Sequence, residues 1–97
     1  MTVNRQQQGN NGSFYIGDSE EPKAEMTYKM KEPNKMVIIH TEVSDELRGQ
    51  NAGYQMVHTA VEYARENHLK IIPLCPFANS VFKKKKEYSD VLYNPEL

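Results

Sequence analysis

Few side chains in this 97-residue sequence suit covalent chemistry at neutral pH. Cys75 is the single cysteine, and His40 is one of three histidines. Each closes an apolar run, Lys35 to Val43 around His40 and Leu69 to Leu74 before Cys75. Open α/β sheets place ligands at such carboxyl strand ends. Cys75 also precedes Pro76, which suits a first helical position because the N–H it lacks would have no partner there. A thiol at a helix amino terminus faces the positive end of the dipole, which favours the nucleophilic thiolate. With His40 in hydrogen-bond reach, the two would make a nucleophile and its base. The alternative for each is structural: a small buried cysteine among Leu74, Pro76 and Phe77, and a buried histidine. His58 and His68 have no companion at metal-ligand spacing, so no metal site is expected.

A second constellation lies between them. Arg48-Gly49-Gln50-Asn51-Ala52-Gly53 runs into the strongest helical pattern of the chain. A helix start presents N–H groups without internal acceptors, together with the positive dipole end. Small residues there let an anion approach the backbone, and Arg48 adds a planar fork for phosphate oxygens. The Gly-Lys-Ser/Thr ending of a nucleoside-triphosphate loop is absent. The plainer reading is a glycine-containing strand-to-helix connection with no ligand.

The elements that position these groups follow from periodicity. Phe14-Tyr15-Ile16 reads as a short strand. Ala24, Met26, Tyr28 and Met30 alternate with polar residues in a second, with one buried and one wet face. A turn at Glu32-Pro33-Asn34 leads to a third strand over 35–43. It is apolar on both faces until His40, as for a central strand covered on two sides. Met56, Ala60 and Ala64, flanked by Val57 and Val61, form one helical stripe, and Asn67 is a left-handed stop. A strand from Leu69 to Leu74 follows, then a short helix with Phe77, Val81 and Phe82 inward. The order is β-β-β-α-β-α, an α+β domain whose mixed sheet has about four strands, three antiparallel and one added in parallel by a right-handed crossover.

Composition fixes the class. The length holds one domain, expected over 13–97, while the Gln- and Asn/Gly-rich residues 1–12 read as a flexible segment. A net charge of −1 from 12 basic and 13 acidic side chains gives no field for nucleic acid. One cysteine excludes an intrachain disulfide and fits a reducing compartment. No apolar run reaches the ~20 residues of a membrane span, and no signal-peptide core is visible. A cytoplasmic domain that engages neither nucleic acid nor membrane is expected.

Arg48-x-x-Asn51-x-Gly53 resembles the pyrophosphate loop of the GNAT acetyltransferases, Gln/Arg-x-x-Gly-x-Gly/Ala. The chain further resembles a compact branch of that superfamily in His40-Thr41-Glu42-Val43, Leu47-Arg48-Gly49-Gln50, Tyr63-Ala64-Arg65, Ile72-Pro73-Leu74-Cys75-Pro76-Phe77 and Glu87-Tyr88. The match runs from about Phe14 to Leu92. Asn51 departs from the pattern's first glycine, but asparagine is the residue after glycine best able to take positive φ.

The resemblance implies a minimal GNAT-like fold with acetyl-CoA as cosubstrate and no metal. Its strands before and after the loop–helix unit splay around the thioester, which would bring His40 and Cys75 to it from both sides. It assigns the cofactor to Arg48, Gly49, Gln50, Asn51, Ala52, Gly53 and Tyr54. It also assigns the strand end Thr41, Glu42 and Val43, whose backbone would pair with the pantetheine arm, and Asn79. Glu42 is in addition a reserve base. Two routes are open: His40 deprotonates an amine while Cys75 serves the leaving thiolate, or Cys75 first takes the acetyl group. Lys83 to Lys86 would meet the CoA 3′-phosphate or an acidic partner, or simply form a solvated helix end. Tyr15, Tyr28 and Tyr54 line an acceptor pocket or fill the core. The expected function is acetyl transfer to an amine (protein lysine, polyamine or other). The alternative is an acyl-CoA-binding sensor or scaffold without turnover.

Overall fold

A computed structural model describes residues 1–95. Its order is β1 (Asn4–Gln8), β2 (Asn11–Gly17), β3 (Pro22–Lys31), β4 (Lys35–Val43), a 3-10 turn (Asp45–Leu47), α1 (Ala52–Asn67), β5 (Lys70–Pro73), α2 (Pro76–Lys84) and a 3-10 turn (Lys86–Val91). The five strands form one sheet in sequence order. β1 to β4 make an antiparallel meander, and β5 adds to β4 in parallel. The mixed α+β architecture is as expected, with one strand more than the sequence pattern indicates.

The extra strand corrects the boundary drawn at residue 12. Asn4↔Tyr15 to Gln8↔Asn11 pair as a hairpin whose two-residue loop begins with Gly9 at φ +62°. Polar side chains do not prevent this, because ladder bonds are backbone bonds. Arg5 adds a side-chain anchor, with Nη1 donating to the Tyr28 hydroxyl at 3.0 Å and the guanidinium lying over the Tyr63 ring. Of the range 13–97, Glu96 and Leu97 lie outside the described residues.

Both helices pack on one face of the sheet. Phe14, Ile16, Ala24, Met26, Tyr28, Met36, Ile38 and Ile71 meet Met56, Val57, Ala60, Val61 and Ala64 of α1 and Ala78, Val81 and Phe82 of α2 in a single core. Burying each large member stabilises the fold by about 1.5–3 kcal/mol. The other face has no covering element among the described residues, which corrects the expectation of a strand covered on both sides. On β4, Met36 and Ile38 are fully buried whereas Ile39 is 48% exposed. α1 ends one residue later than expected: His68, not Asn67, takes the left-handed conformation at φ 55°. The chain then folds back along β5, where Leu92 bridges Ile71 and the Tyr93 N–H donates to the Ile71 carbonyl. Arg65 clamps this return, with Nε and Nη2 each 2.9 Å from the two carboxylate oxygens of Asp90. Asp90 is thereby held below the usual carboxylate range. Among the described residues no helix is long and apolar enough to cross a membrane.

Candidate active site

The site begins at a one-residue irregularity in β4. Tyr28 pairs with Ile38, but Thr27 pairs with His40, so Ile39 is an inserted residue in the β3–β4 ladder. A bulge bends its strand and exchanges the faces of all later side chains. At the same level β5 leaves: Ile38↔Pro73 is the last parallel pair, and the N–H groups of Leu74 and Cys75 both donate to the Ile38 carbonyl. From Ile39 to Val43, β4 therefore keeps β3 on one edge and, among the described residues, has no strand on the other. Cys75 caps α2 across this opening, with Pro76 in the first turn.

The loop beyond β4 is held from both sides. The Ser44 N–H donates to the Lys23 carbonyl at 2.8 Å, and Lys23 Nζ pairs with Glu46 at 3.2 Å. Gln50 ties the turn to the helix, donating to the Glu46 carbonyl while its own carbonyl accepts from Gln55. Gly49 has φ +82° with open space around it, and Asn51 takes the left-handed conformation at φ 59°, as expected of asparagine. The Asn51 side chain makes no capping bond to the first N–H groups of α1. At Gly53 packing is a constraint of its own: a Cβ there would lie 2.6 Å from Phe77 Cζ. Its lack of a side chain lets the Phe77 ring pack onto the first turn of α1, edge-on to Tyr54 at 5.5 Å between centroids.

A cavity of about 380 Å³ occupies the angle between the β4 end and the start of α1. Of the expected cofactor residues, Thr41, Val43, Arg48, Gly49, Asn51, Ala52, Gly53 and Tyr54 line it, joined by Ser44, Leu47 and Phe77. Glu42, Gln50 and Asn79 are not among its lining residues. Glu42 is turned to the uncovered face by strand alternation, Gln50 is engaged in the turn, and Asn79 sits half-buried on α2. Arg48 is exposed, with Nη2 2.6 Å from Asp45 Oδ1. Ser44 was not expected: its Oγ is buried at the cavity wall and has no hydrogen-bond partner among the described residues. Leu47 and Phe77 were missed as well. Only the apolar character of Phe77 beside Cys75 hinted at a packing role.

The two reactive side chains do not meet as the simplest reading has it. Thr41 pairs with buried Met26, so it faces the helices, and its Oγ1 lies 3.3 Å from Cys75 Sγ. Cys75 is 4% exposed. His40 points to the uncovered face, with Nε2 3.2 Å from Glu42 Oε1 and a largely exposed ring. The bulge causes this separation, because regular alternation through Ile39 would put the ring on the face of Ile38. The thiol's neighbour is thus a hydroxyl and the imidazole's is a carboxylate. Tyr28 is a core residue with its hydroxyl on Arg5 and Gln7, and burial pushes its ionisation up. Tyr15 is half-buried away from the cavity. No cluster of three or more His, Cys, Asp or Glu able to hold a metal occurs among the described residues.

The fold is matched in known proteins. A solution structure of a GCN5-like protein from Staphylococcus aureus, described in terms of N-acetyl transfer, superimposes with a TM-score of 0.73 at 43% identity, over 94% of this chain and 88% of that one. The ribosomal-protein-alanine N-acetyltransferase of Brucella melitensis biovar Abortus 2308 shares the fold, with a TM-score of 0.61 at 13% identity over 90% of this chain and 64% of that one. No curated protein sequence matches the chain significantly. Residues 13–91, which contain the bulged strand, the loop and both helices, match the sequence profile of the GCN5-related N-acetyl-transferases, and the chain belongs to that family.

Proposed function

We propose that the chain transfers the acetyl group of acetyl-CoA to an amine. The observation that carries this reading is the cavity in which the α1 start meets the end of β4, with Thr41 in its wall and Cys75 behind Thr41 at 3.3 Å. The chain's groups fit the cosubstrate. The first N–H groups of α1 and the Arg48 fork suit the pyrophosphate, and the orphaned Ser44 hydroxyl offers a further polar contact. The unpaired edge of β4 can hydrogen-bond an amide-bearing arm as an added strand would. This directs the thioester toward the opening between β4 and Cys75.

The acceptor then approaches from the uncovered sheet face, where His40 stands. Its imidazole takes a proton from the attacking amine, and Glu42 orients the ring and stabilises the imidazolium. The new C–N bond forms as the C–S bond breaks, and Cys75 with Thr41 stands next to the departing sulfur to return a proton. The 3.3 Å contact supports a second route, in which Cys75 Sγ accepts the acetyl group and passes it to the amine. The open face suits an exposed lysine or a polyamine. The chain is incubated with acetyl-CoA and a panel of amines and peptides while free thiol is followed. Amine-dependent thiol release that falls at least tenfold in His40→Ala is expected. Binding without release for any acceptor would leave a non-catalytic acyl-CoA module in place of an enzyme.

A further inference from the structure

The uncovered face of the sheet is acidic at one end, basic at the other and apolar between them. Glu25 of β3 stands directly opposite Glu42 of β4, and Lys31 stands opposite Lys35. Like charges paired across strands are unfavourable, so the stability of the sheet explains neither row. From Glu25 to Lys31 along β3 is about 20 Å at the rise of a strand. A Debye length is about 8 Å at physiological ionic strength, so each row acts as a field of its own. Among the described residues Glu25, Lys29 and Lys31 have no ion-pair partner. Between the rows lie Val37, paired with Ile72 across β4 and β5, and the inserted Ile39, 48% exposed. His40 follows on the same face, opposite Thr27.

We propose that this face docks the acceptor as a polypeptide segment, with a lysine at the Glu25–Glu42 end, apolar side chains over Ile39 and Val37, and an acidic residue at Lys29 and Lys31. It rests on the amine-transfer reading above and narrows the acceptor to one class. A polyamine carries cations alone: it meets the glutamates, is repelled by the lysines and leaves the apolar middle bare. An extended segment whose lysine lies about four to six residues from an acidic one spans both ends. A second copy turned end for end would match the charges as well, but it would close over His40. A stable dimer also needs about 800 Å² per partner with an apolar centre. Val37 and Ile72 are half-buried, which leaves little beyond Ile39 for such a centre. Weak contact of this kind suits a substrate that must leave after the reaction.

Acetylation of matched peptides, followed as thiol release from acetyl-CoA, tests this. Each peptide has one lysine, apolar residues beside it and a glutamate about five residues away on either side. Its twin has arginine in place of the glutamate. The wild-type chain is expected to use the better glutamate peptide with kcat/KM about fivefold above its twin and above spermidine, a gap that shrinks with salt. Lys29→Gln/Lys31→Gln levels the twins, and Lys29→Glu/Lys31→Glu inverts the preference, which loss of folding would not do. Equal use of the twins by the wild-type chain, an unchanged preference in both variants, or spermidine as the best acceptor overturns the docked segment and leaves amine transfer standing. A dimer in sedimentation that Ile39→Glu splits gives the face to a second copy and overturns it too. Absence of thiol release with every acceptor overturns the amine-transfer reading with it.

Discussion

Gly53→Ala separates packing from helix propensity at the cavity wall. In an unobstructed helix interior, alanine is favoured over glycine by up to about 1 kcal/mol. Here the new Cβ would stand 2.6 Å from Phe77 Cζ and 2.7 Å from Cε2, against the 3.4 Å at which ordinary contact begins. The Phe77 ring must move by nearly an ångström, and it is already engaged with Tyr54. Overpacking of this kind costs about 1–3 kcal/mol. With the propensity gain set against it, a net loss of about 1 kcal/mol is expected, read as a fall of about 4–8 °C in Tm for a domain of this size. Thermal unfolding by circular dichroism measures it directly. In a Phe77→Ala background the clash vanishes, and the same substitution becomes stabilising. A Gly53→Ala variant more stable than wild type, with Phe77 present, would refute the packing role of this glycine.

Further outcomes follow from the other contacts. Arg65 holds Asp90 below its usual range, so the pair stabilises the fold above about pH 3.8, and that contribution is lost as pH falls through the lowered folded value. Asp90→Asn should unfold more readily than wild type at neutral pH, the gap narrowing in acid denaturation curves. Burial pushes the Tyr28 phenol upward, so its contribution is complete below its ordinary value of 10.0 and is lost as pH rises through the higher folded one. Tyr28→Phe should flatten the alkaline limb of the stability profile. Arg48→Ala should weaken acetyl-CoA binding by about fivefold or less in a calorimetric titration, because an exposed cation already paired with Asp45 contributes only about 1 kcal/mol or less. Thr41→Val removes the hydroxyl that lies 3.3 Å from the thiol. Intact-mass measurement after incubation with acetyl-CoA should then show less acetylated Cys75 if the covalent route operates.

Most of this architecture is legible in the chain, and the parts that are not share a physical cause. β3, β4, α1 and α2 follow from side-chain periodicity, since each buries one face against the same core. β1 left no such trace: Asn4, Arg5 and the three glutamines are recruited by backbone pairing to β2, and only Gly9 marks the hairpin. The loop stood out through the resemblance of Arg48-x-x-Asn51-x-Gly53 to a known pattern, and the structure gives Gly49 and Asn51 positive φ there. Its real wall also includes Ser44, Leu47 and Phe77, which become neighbours only once β4 and α2 are docked. The partners of His40 and Cys75 were beyond reach for a sharper reason. Simple alternation from Met36 and Ile38 puts His40 on the helix face. The single inserted residue Ile39 reverses that, and no residue type in the Val37–His40 stretch announces a bulge.

The central claim is that the Arg48–Tyr54 wall and the free edge of β4 receive acetyl-CoA. An amide-resolved NMR titration with acetyl-CoA tests it most directly. The account predicts saturable shifts at Gly49, Ala52, Gly53 and Tyr54 and at Thr41 and Val43, with the amides of β1 unmoved. A titration that leaves the α1 start and the β4 edge unchanged, or that moves only residues elsewhere in the sheet, would contradict it.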